Sequence, residues 1–433
     1  MLDLARDRDL TWKLAIFLML NGFVLNVFLW SVSPPTHGLA FRTVLDTAWH
    51  VFDGYRDDSW KVMGRALDYL AGQNARPLYA ELFFTQGLKF QYPPTSLFFY
   101  APIRDHHYTL ILIDVLFVTL TIGASVALLE KTLNTQYPTR YSIWRAVVVA
   151  ALAITFYPII KASAVGQIQV WLTGLFALSL LCWVTRRKVF SGIFIGIVCL
   201  VKPHWGVLLL WATLRGEWRF FLACAATFLI GLTISVSLYG VTNHLDYFSV
   251  LTYLTQHGEA YYPNQSANGL LNRLMSIVNP GLYNNIEWRG ERFPPYHPFV
   301  YFGTLFAAVA ILGLALFRRA RASDPERIFD FCTMALSCTV SSPIAWEHHY
   351  GILFPIYAIV FATVYRSSGT LVWIAVSYVL ASNLFILPNT FAGTWLNVLQ
   401  SYLLGGGLIL LAVLRFASPF REVHHLEAIR QPT

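Results

Sequence analysis

Apolar runs close to twenty residues long recur from one end of this 433-residue chain to the other. A run of that length is what crosses the roughly 30 Å hydrocarbon core of a bilayer as a helix. Twelve such segments can be drawn, near residues 14–32, 108–129, 146–160, 168–184, 189–201, 204–214, 220–239, 298–317, 328–341, 350–365, 371–388 and 396–414. Only 12% of the residues are charged, about half the ~25% that a soluble domain carries. The chain therefore reads as an all-α polytopic membrane protein with about twelve transmembrane helices, forming one unit over residues 1–433. Leu14 to Trp30 is long enough to remain as an anchor rather than a cleaved signal.

The formal charge of +8 does not point to nucleic acid, because the positive residues sit in alternate short connections. Arg6, Arg8 and Lys13 open the chain. Lys131, Arg140 and Arg145, then Arg186, Arg187 and Lys188, then Arg215 and Arg219 follow. Arg318, Arg319, Arg321 and Arg327, then Arg366, then Arg415, Arg421 and Arg430 complete the pattern, 19 of the 31 basic residues in all. Lys and Arg in short loops mark the cytoplasmic face, so both termini are expected inside, as an even number of spans requires. The other face carries two long loops, near 33–107 and 240–297, where function is expected. The segments 189–201 and 204–214 are short for full spans and point to tilted or broken helices around a water-accessible cavity. No internal repeat supports an inverted-repeat transporter. The five cysteines fall in apolar segments with no metal or disulfide spacing, and read as small core residues.

Against this charge pattern, several polar groups on the outer side stand out, because ionisable residues at a membrane edge are expensive. Lys161 and Lys202 end apolar segments on the face where positive charge is disfavoured. Each could simply snorkel to headgroups. For Lys202, the adjoining Pro203-His204-Trp205 favours a built site able to hold a phosphate. Gly166-Gln167 lies beside Lys161 and has a bland alternative as a helix start. Asn264-Gln265-Ser266 likewise could be only an N-cap for the segment that follows. Glu347-His348-His349, in Trp346-Glu347-His348-His349-Tyr350, is the strongest cluster. Adjacent histidines do not readily ligate one ion from a helix, so hydrogen bonding to phosphate or sugar is preferred and no metal site is expected. The first outer loop supplies a carboxylate pair, Asp57-Asp58, whose ordinary role would be a solvated helix start with Asp58 as the N-cap.

Taken in order, these pieces resemble a known family. A loop carboxylate is followed by Leu70-Ala71-Gly72-Gln73, Pro77-Leu78-Tyr79 and Gln91-Tyr92-Pro93-Pro94. Then come Gly166-Gln167, Lys202-Pro203, Asn264-Gln265-Ser266 with Arg273-Leu274, and Ser342-Pro343 before the Glu347-His348-His349 cluster. The set is similar to glycosyltransferase family 87, which includes polyprenyl-phosphate-mannose-dependent α-1,2-mannosyltransferases. The resemblance implies the GT-C membrane fold and an inverting transfer at the outer face of the cell membrane. It implies a polyprenyl-phosphate-linked sugar as donor, mannose by resemblance, and a glycolipid or glycan as acceptor. A catalytic aspartate is expected in the first outer loop, at Asp58 with Asp57 in reserve. Lys161, Lys202, Tyr92, Gln167, Asn264, Gln265, Glu347, His348 and His349 are the expected substrate contacts. Neither cofactor nor metal is expected, since cations and hydrogen-bond donors can carry a departing lipid phosphate.

Two other classes share these features. A lipid-linked sugar flippase would have the spans and the cavity, but would not need a carboxylate on an amphipathic loop helix. An oligosaccharide ligase or polymerase using a lipid diphosphate would favour paired arginines around two phosphates. The outer-face arginines Arg273, Arg289 and Arg292 fall within the second loop instead.

Overall fold

The computed structural model describes residues 2–25, 57–72, 76–136, 141–279, 293–317, 324–365, 367–385 and 387–416. The first part of the outer loop, the segment with Arg289 and Arg292, most of the basic 318–323 connection, and the tail with Arg421 and Arg430 lie outside the described residues. The end of the expected 14–32 span lies outside them as well.

Among the described residues the chain is helical and holds no strand, with one isolated antiparallel bridge between Asn264 and Trp346. The principal helices are α1 (Leu2–Leu18), α2 (Asp58–Ala71), α3 (His107–Gln136), α4 (Ile143–Ile154), α5 (Tyr157–Val165), α6 (Gln169–Val184), α7 (Lys188–Val201) and α8 (Val207–Arg215). They are followed by α9 (Trp218–Tyr239), α10 (Val241–His257), α11 (Ala267–Val278), α12 (Pro298–Leu316), α13 (Asp324–Val340), α14 (Leu353–Val364), α15 (Ser368–Ser382) and α16 (Tyr402–Phe416).

Four helical stretches are long and apolar enough to cross a membrane: His107–Thr135, Trp218–Tyr239, Pro298–Leu316 and Trp395–Phe416. The pair α4 and α5 makes a fifth if taken together, bent by 53° at a break just before Pro158. Most remaining apolar segments form helices of 9 to 17 residues. Fourteen residues of α7 rise only about 21 Å. Among the described residues four or five spans thus meet the length and apolarity of a full crossing, against the about twelve expected. Several of the expected spans are short helices flanked by breaks.

The helices alternate between two ends of the bundle. At one end Lys13 donates to the Tyr365 carbonyl at 2.9 Å. There Arg215 also pairs with Asp330 at 2.7 Å and donates to the Leu316 carbonyl at 3.1 Å. Arg145, fully buried, pairs with Glu130 through two bonds of 2.7 and 2.8 Å. Two of the arginines that looked like loop charges are therefore paired with carboxylates, Arg145 fully buried and Arg215 half-buried, as burial of charge requires. α7 lies directly on α9, because Gly196 leaves no room for a side chain: a Cβ there would come within 2.7 Å of Thr227. Close backbone approach at small residues is how helices associate where hydrophobic drive is weak. Four of the five cysteines are buried and all are free, in keeping with core roles.

At the other end lie α2, α11 and the turns between helices. α2 buries Ser59, Trp60, Met63, Ala66 and Leu67, a stripe at helical spacing, and exposes Asp57, Lys61 and Asp68. Trp60 fixes it in place, with its ring stacked 5.4 Å from Tyr100 and 5.0 Å from Trp171. The Pro77-Leu78-Tyr79 turn is tied to α10, where Asn243 accepts from the Leu78 amide and Asp246 from the amides of Tyr79 and Ala80.

Candidate active site

α5 ends at Gly166, whose φ of +67° is a left-handed conformation that glycine adopts without penalty. That turn aims the Gly166 carbonyl at the Ser59 amide, 3.2 Å away. It also delivers Gln167 into the space over α2. The Gln167 side-chain NH2 donates to the Asp58 carboxylate. Its carbonyl accepts from Ser59 Oγ at 2.7 Å and from Tyr92 Oη at 2.9 Å. Ser59 Oγ in turn accepts from the Ile168 amide at 3.1 Å. The amide group of Gln167 is thus held at both ends, and its orientation is fixed.

The expected N-cap role of Asp58 is not what is found. Asp57 occupies the cap position without a side-chain capping bond, and Asp58 is the first helical residue. Its carboxyl reaches solvent but has protein on most sides. Desolvation raises its pKa above the usual carboxylate value, and Asp57 adds to that. The Gln167 hydrogen bond and the charges of Lys161 and Lys89 work the other way. Tyr92, desolvated beside it, has its phenol pKa pushed up and stays a neutral donor.

Lys161 acts on a second carboxylate. Glu347 is buried at 1% exposure and accepts from Tyr157 Oη at 2.9 Å and Tyr402 Oη at 3.2 Å. Burial raises its pKa, opposed first by the Lys161 ammonium. One lysine therefore lies within electrostatic reach of both Asp58 and Glu347.

Beyond Glu347, Lys202, His204 and His349 line a small polar pocket with Gln169, Thr339 and Ser342. Gln169 is buried, and its side-chain carbonyl has no hydrogen-bond partner. His349 Nδ1 accepts from the Trp346 amide at 3.3 Å, which leaves Nε2 as the protonated nitrogen. Burial, and then the Lys202 charge, hold His348 and His349 well below the usual imidazole pKa. They are neutral hydrogen-bonding groups; the same burial holds Lys202 well below the usual lysine pKa, so its amine is the pocket's basic group and is primed to charge when an anion arrives.

Asn264 and Gln265, expected as substrate contacts, are completely buried. Asn264 Nδ2 donates to the carbonyls of Glu259 and Pro343, and its Oδ1 accepts from the Ala345 amide at 3.0 Å. Gln265 Nε2 donates to the carbonyls of Tyr262 and Gln400, and its Oε1 accepts from the amides of Leu403 and Leu404. Every polar atom of both amides has a backbone partner. Backbone bonds from Gln265 to Ala345 and from Glu347 to Pro263 complete a clasp that presents the Glu347-His348-His349 turn. Arg273 braces it by donating to the Asn264 carbonyl and Ser401 Oγ. Ser266 is the N-cap of α11, accepting from the Gly269 amide at 3.2 Å.

Sequence reasoning passed over several partners. Lys89 pairs with Glu259 at 2.8 Å, and Trp346 Nε1 donates to the same carboxylate at 2.6 Å. Tyr157 and Tyr402 also belong to the site, with Gln169 and with His204, which the sequence marked beside Lys202. Among the described residues no three of His, Cys, Asp and Glu gather in a group that could hold a metal.

A family model described as glycosyltransferase family 87 matches residues 90–343. Over 363 residues the chain is 26% identical to a polyprenol-phosphate-mannose-dependent alpha-(1-2)-phosphatidylinositol mannoside mannosyltransferase of Mycolicibacterium smegmatis, covering 74% of this chain and 77% of that protein. No solved structure matches.

Proposed function

Because the chain belongs to glycosyltransferase family 87, we propose that it moves mannose from a polyprenyl-phosphate donor to a glycolipid acceptor at the end of the bundle where Asp58 stands, facing away from the cytoplasm. The Gln167–Asp58 hydrogen bond carries this reading, since it fixes a solvent-reaching carboxylate of raised pKa within electrostatic reach of Lys161. The fold is read as GT-C, with the short helices completing tilted or broken spans up to about twelve. The donor sugar and the acceptor class follow the printed name of the relative.

In an inverting displacement, an acceptor hydroxyl attacks the anomeric carbon while the bond from that carbon to the phosphate oxygen breaks. The hydroxyl proton passes to Asp58, which must be ionised to receive it. The leaving polyprenyl phosphate gains one negative charge. Lys202 and Lys161 offset that charge, and the Nε2–H of His349 donates to it, with His348 behind. The clasp around Asn264 and Gln265 fixes the two histidines before reaction, so little reorganisation of them accompanies the step. Gln167 aims the Asp58 carboxylate, Tyr92 holds Gln167, and Glu347 sets the position and charge of Lys161. No cofactor or metal enters the proposed step.

The test is transfer of labelled mannose from polyprenyl-phosphate-mannose to a phosphatidylinositol mannoside by purified protein, compared with Asp58→Asn and repeated with chelator. Transfer by wild type that is lost in the variant supports the reading. Loss on adding chelator would sink the metal-free mechanism. No transfer from any polyprenyl-phosphate sugar would move the protein toward lipid-linked sugar transport.

A further inference from the structure

A second cavity lies far from Asp58. α3 begins near α2, where Arg104 pairs with Asp68 at 2.7 Å. Its residue Lys131 lies 24 positions past His107, about 36 Å along the axis at 1.5 Å per residue. α6, α13 and α14 also run from the candidate active site, at Gln169, Thr339 and Ile352, to this second place, at Trp183, Phe329 and Thr363. The cavity has a volume of about 430 Å³ and sits at the basic end of the bundle.

Four cations line it, Lys131, Arg186, Lys188 and Arg327, and no carboxylate does. Lys188 is partly offset by Glu217 at 3.6 Å. Thr132, at 8% exposure, lines the same wall with a hydroxyl that has no hydrogen-bond partner. An orphaned buried donor is costly unless something completes it. Arg186 has φ +61°, the only non-glycine residue with a positive φ among those described. The rest of the wall mixes apolar residues, Phe329 and Ile359 among them, with Thr135, Thr185 and Thr363.

We propose that this cavity is a second, non-catalytic site that binds a phosphate group, with the cations around it, Thr132 donating to it, and an attached hydrocarbon chain on the Phe329 and Ile359 side. Guanidinium groups suit phosphate because their paired N–H donors match its oxygens. The phosphate can come from an anionic lipid of the adjoining leaflet or from a soluble phosphate ester. The apolar wall favours the lipid.

Two substitutions separate binding from folding. Arg186→Gly removes the guanidinium and places at φ +61° the residue that prefers it. Thr132→Val removes the unpaired hydroxyl at nearly constant volume. Both should leave the melting temperature of the full-length purified protein unchanged or higher. Binding is read on the same protein by native mass spectrometry with phosphatidylglycerol against phosphatidylcholine, and by titration with inorganic pyrophosphate. Retention of phosphatidylglycerol that falls about tenfold in both variants assigns a lipid. Saturable pyrophosphate binding that falls likewise, without lipid retention, assigns a soluble ligand. Equal binding of either probe by wild type and both variants, or no binding by any, overturns the site. Because the cavity is at the opposite end from Asp58, the result does not depend on whether mannosyl transfer is observed.

Discussion

Gln167 donates its side-chain N–H to the Asp58 carboxylate across 109 residues of sequence, and the same amide accepts from Ser59 and Tyr92. A carboxylate so held has one oxygen engaged and one available to take a proton. Asp57, its neighbour, makes no capping bond and faces solvent. The prediction is a clean separation within the pair. Asp58→Asn should lower kcat by about 10²–10⁴-fold, the usual range for loss of a general base. Asp57→Asn should change it by less than about threefold, within the scale of a nearby screened charge. Initial rates on protein of unchanged melting temperature decide it, and the reverse ranking would transfer the role to Asp57.

The charges around Asp58 set the pH dependence. A base works only above its pKa, so kcat/KM should fall on the acid side through the pKa of Asp58. Burial has raised that pKa, and Lys161 opposes the rise. Lys161→Met removes a positive neighbour, which raises the pKa further, so the acid limb should move to higher pH. Gln167→Leu removes a hydrogen bond to the ionised form and should move it the same way. Rate profiles from pH 4 to 8 read this directly. A limb that stays put in both variants would show that the group titrating is not Asp58.

The pocket around Lys202 makes a different prediction. His348 and His349 are kept neutral by burial and by Lys202. The basic group offered to a phosphate there is the Lys202 amine, its pKa lowered by its own burial, and an arriving phosphate favours its ammonium form. Lys202→Met should then cost about 10²-fold in kcat/KM for the donor, comparable to removing one preorganised donor to a developing anion. His349→Gln keeps an N–H donor without a titrating ring, and should retain more activity than His349→Ala. Donor-concentration series for the three variants test it, and equal losses for Gln and Ala would mean that the imidazole acts by more than hydrogen bonding.

Much of this site was legible in the sequence, for a physical reason. Asp58, Lys161, Gln167, Lys202 and the Glu347-His348-His349 run are polar groups beside apolar segments, and their cost in that setting marks them one at a time. Tyr157, Tyr402, Lys89 and Glu259 carry no such mark. Tyrosines are ordinary at membrane edges, and Lys89 and Glu259, 170 residues apart, look like solvated loop charges until the fold pairs them. Asn264 and Gln265 drew notice for the right position, yet only the structure shows their amides turned toward backbone. The number of spans was the least legible feature. Hydropathy marks the short run 189–201 and its end at Lys202, as the helix Lys188–Val201 bears out, but not whether so short a helix crosses alone or with a neighbour.

The Asn264 clasp yields the last prediction. Its side chain satisfies the Glu259 and Pro343 carbonyls and the Ala345 amide, all in a region where Asn264 is fully buried. Asn264→Ala leaves those backbone groups without partners, and an unsatisfied buried group costs about 1–3 kcal/mol. A loss of about 2–4 kcal/mol is expected, since neighbouring groups can take up part of the lost hydrogen bonding. The damage should not stop at stability. The clasp positions His349, so kcat should fall in protein that is still folded at low temperature, while the acid limb set by Asp58 stays where it was. Asn264→Asp, which keeps the acceptor for the Ala345 amide but sets a buried carboxylate oxygen against the Glu259 and Pro343 carbonyls, should melt at or below alanine at neutral pH and recover as pH falls. An Asn264→Ala protein with wild-type stability and a raised donor KM alone would instead make the residue a direct contact to the donor.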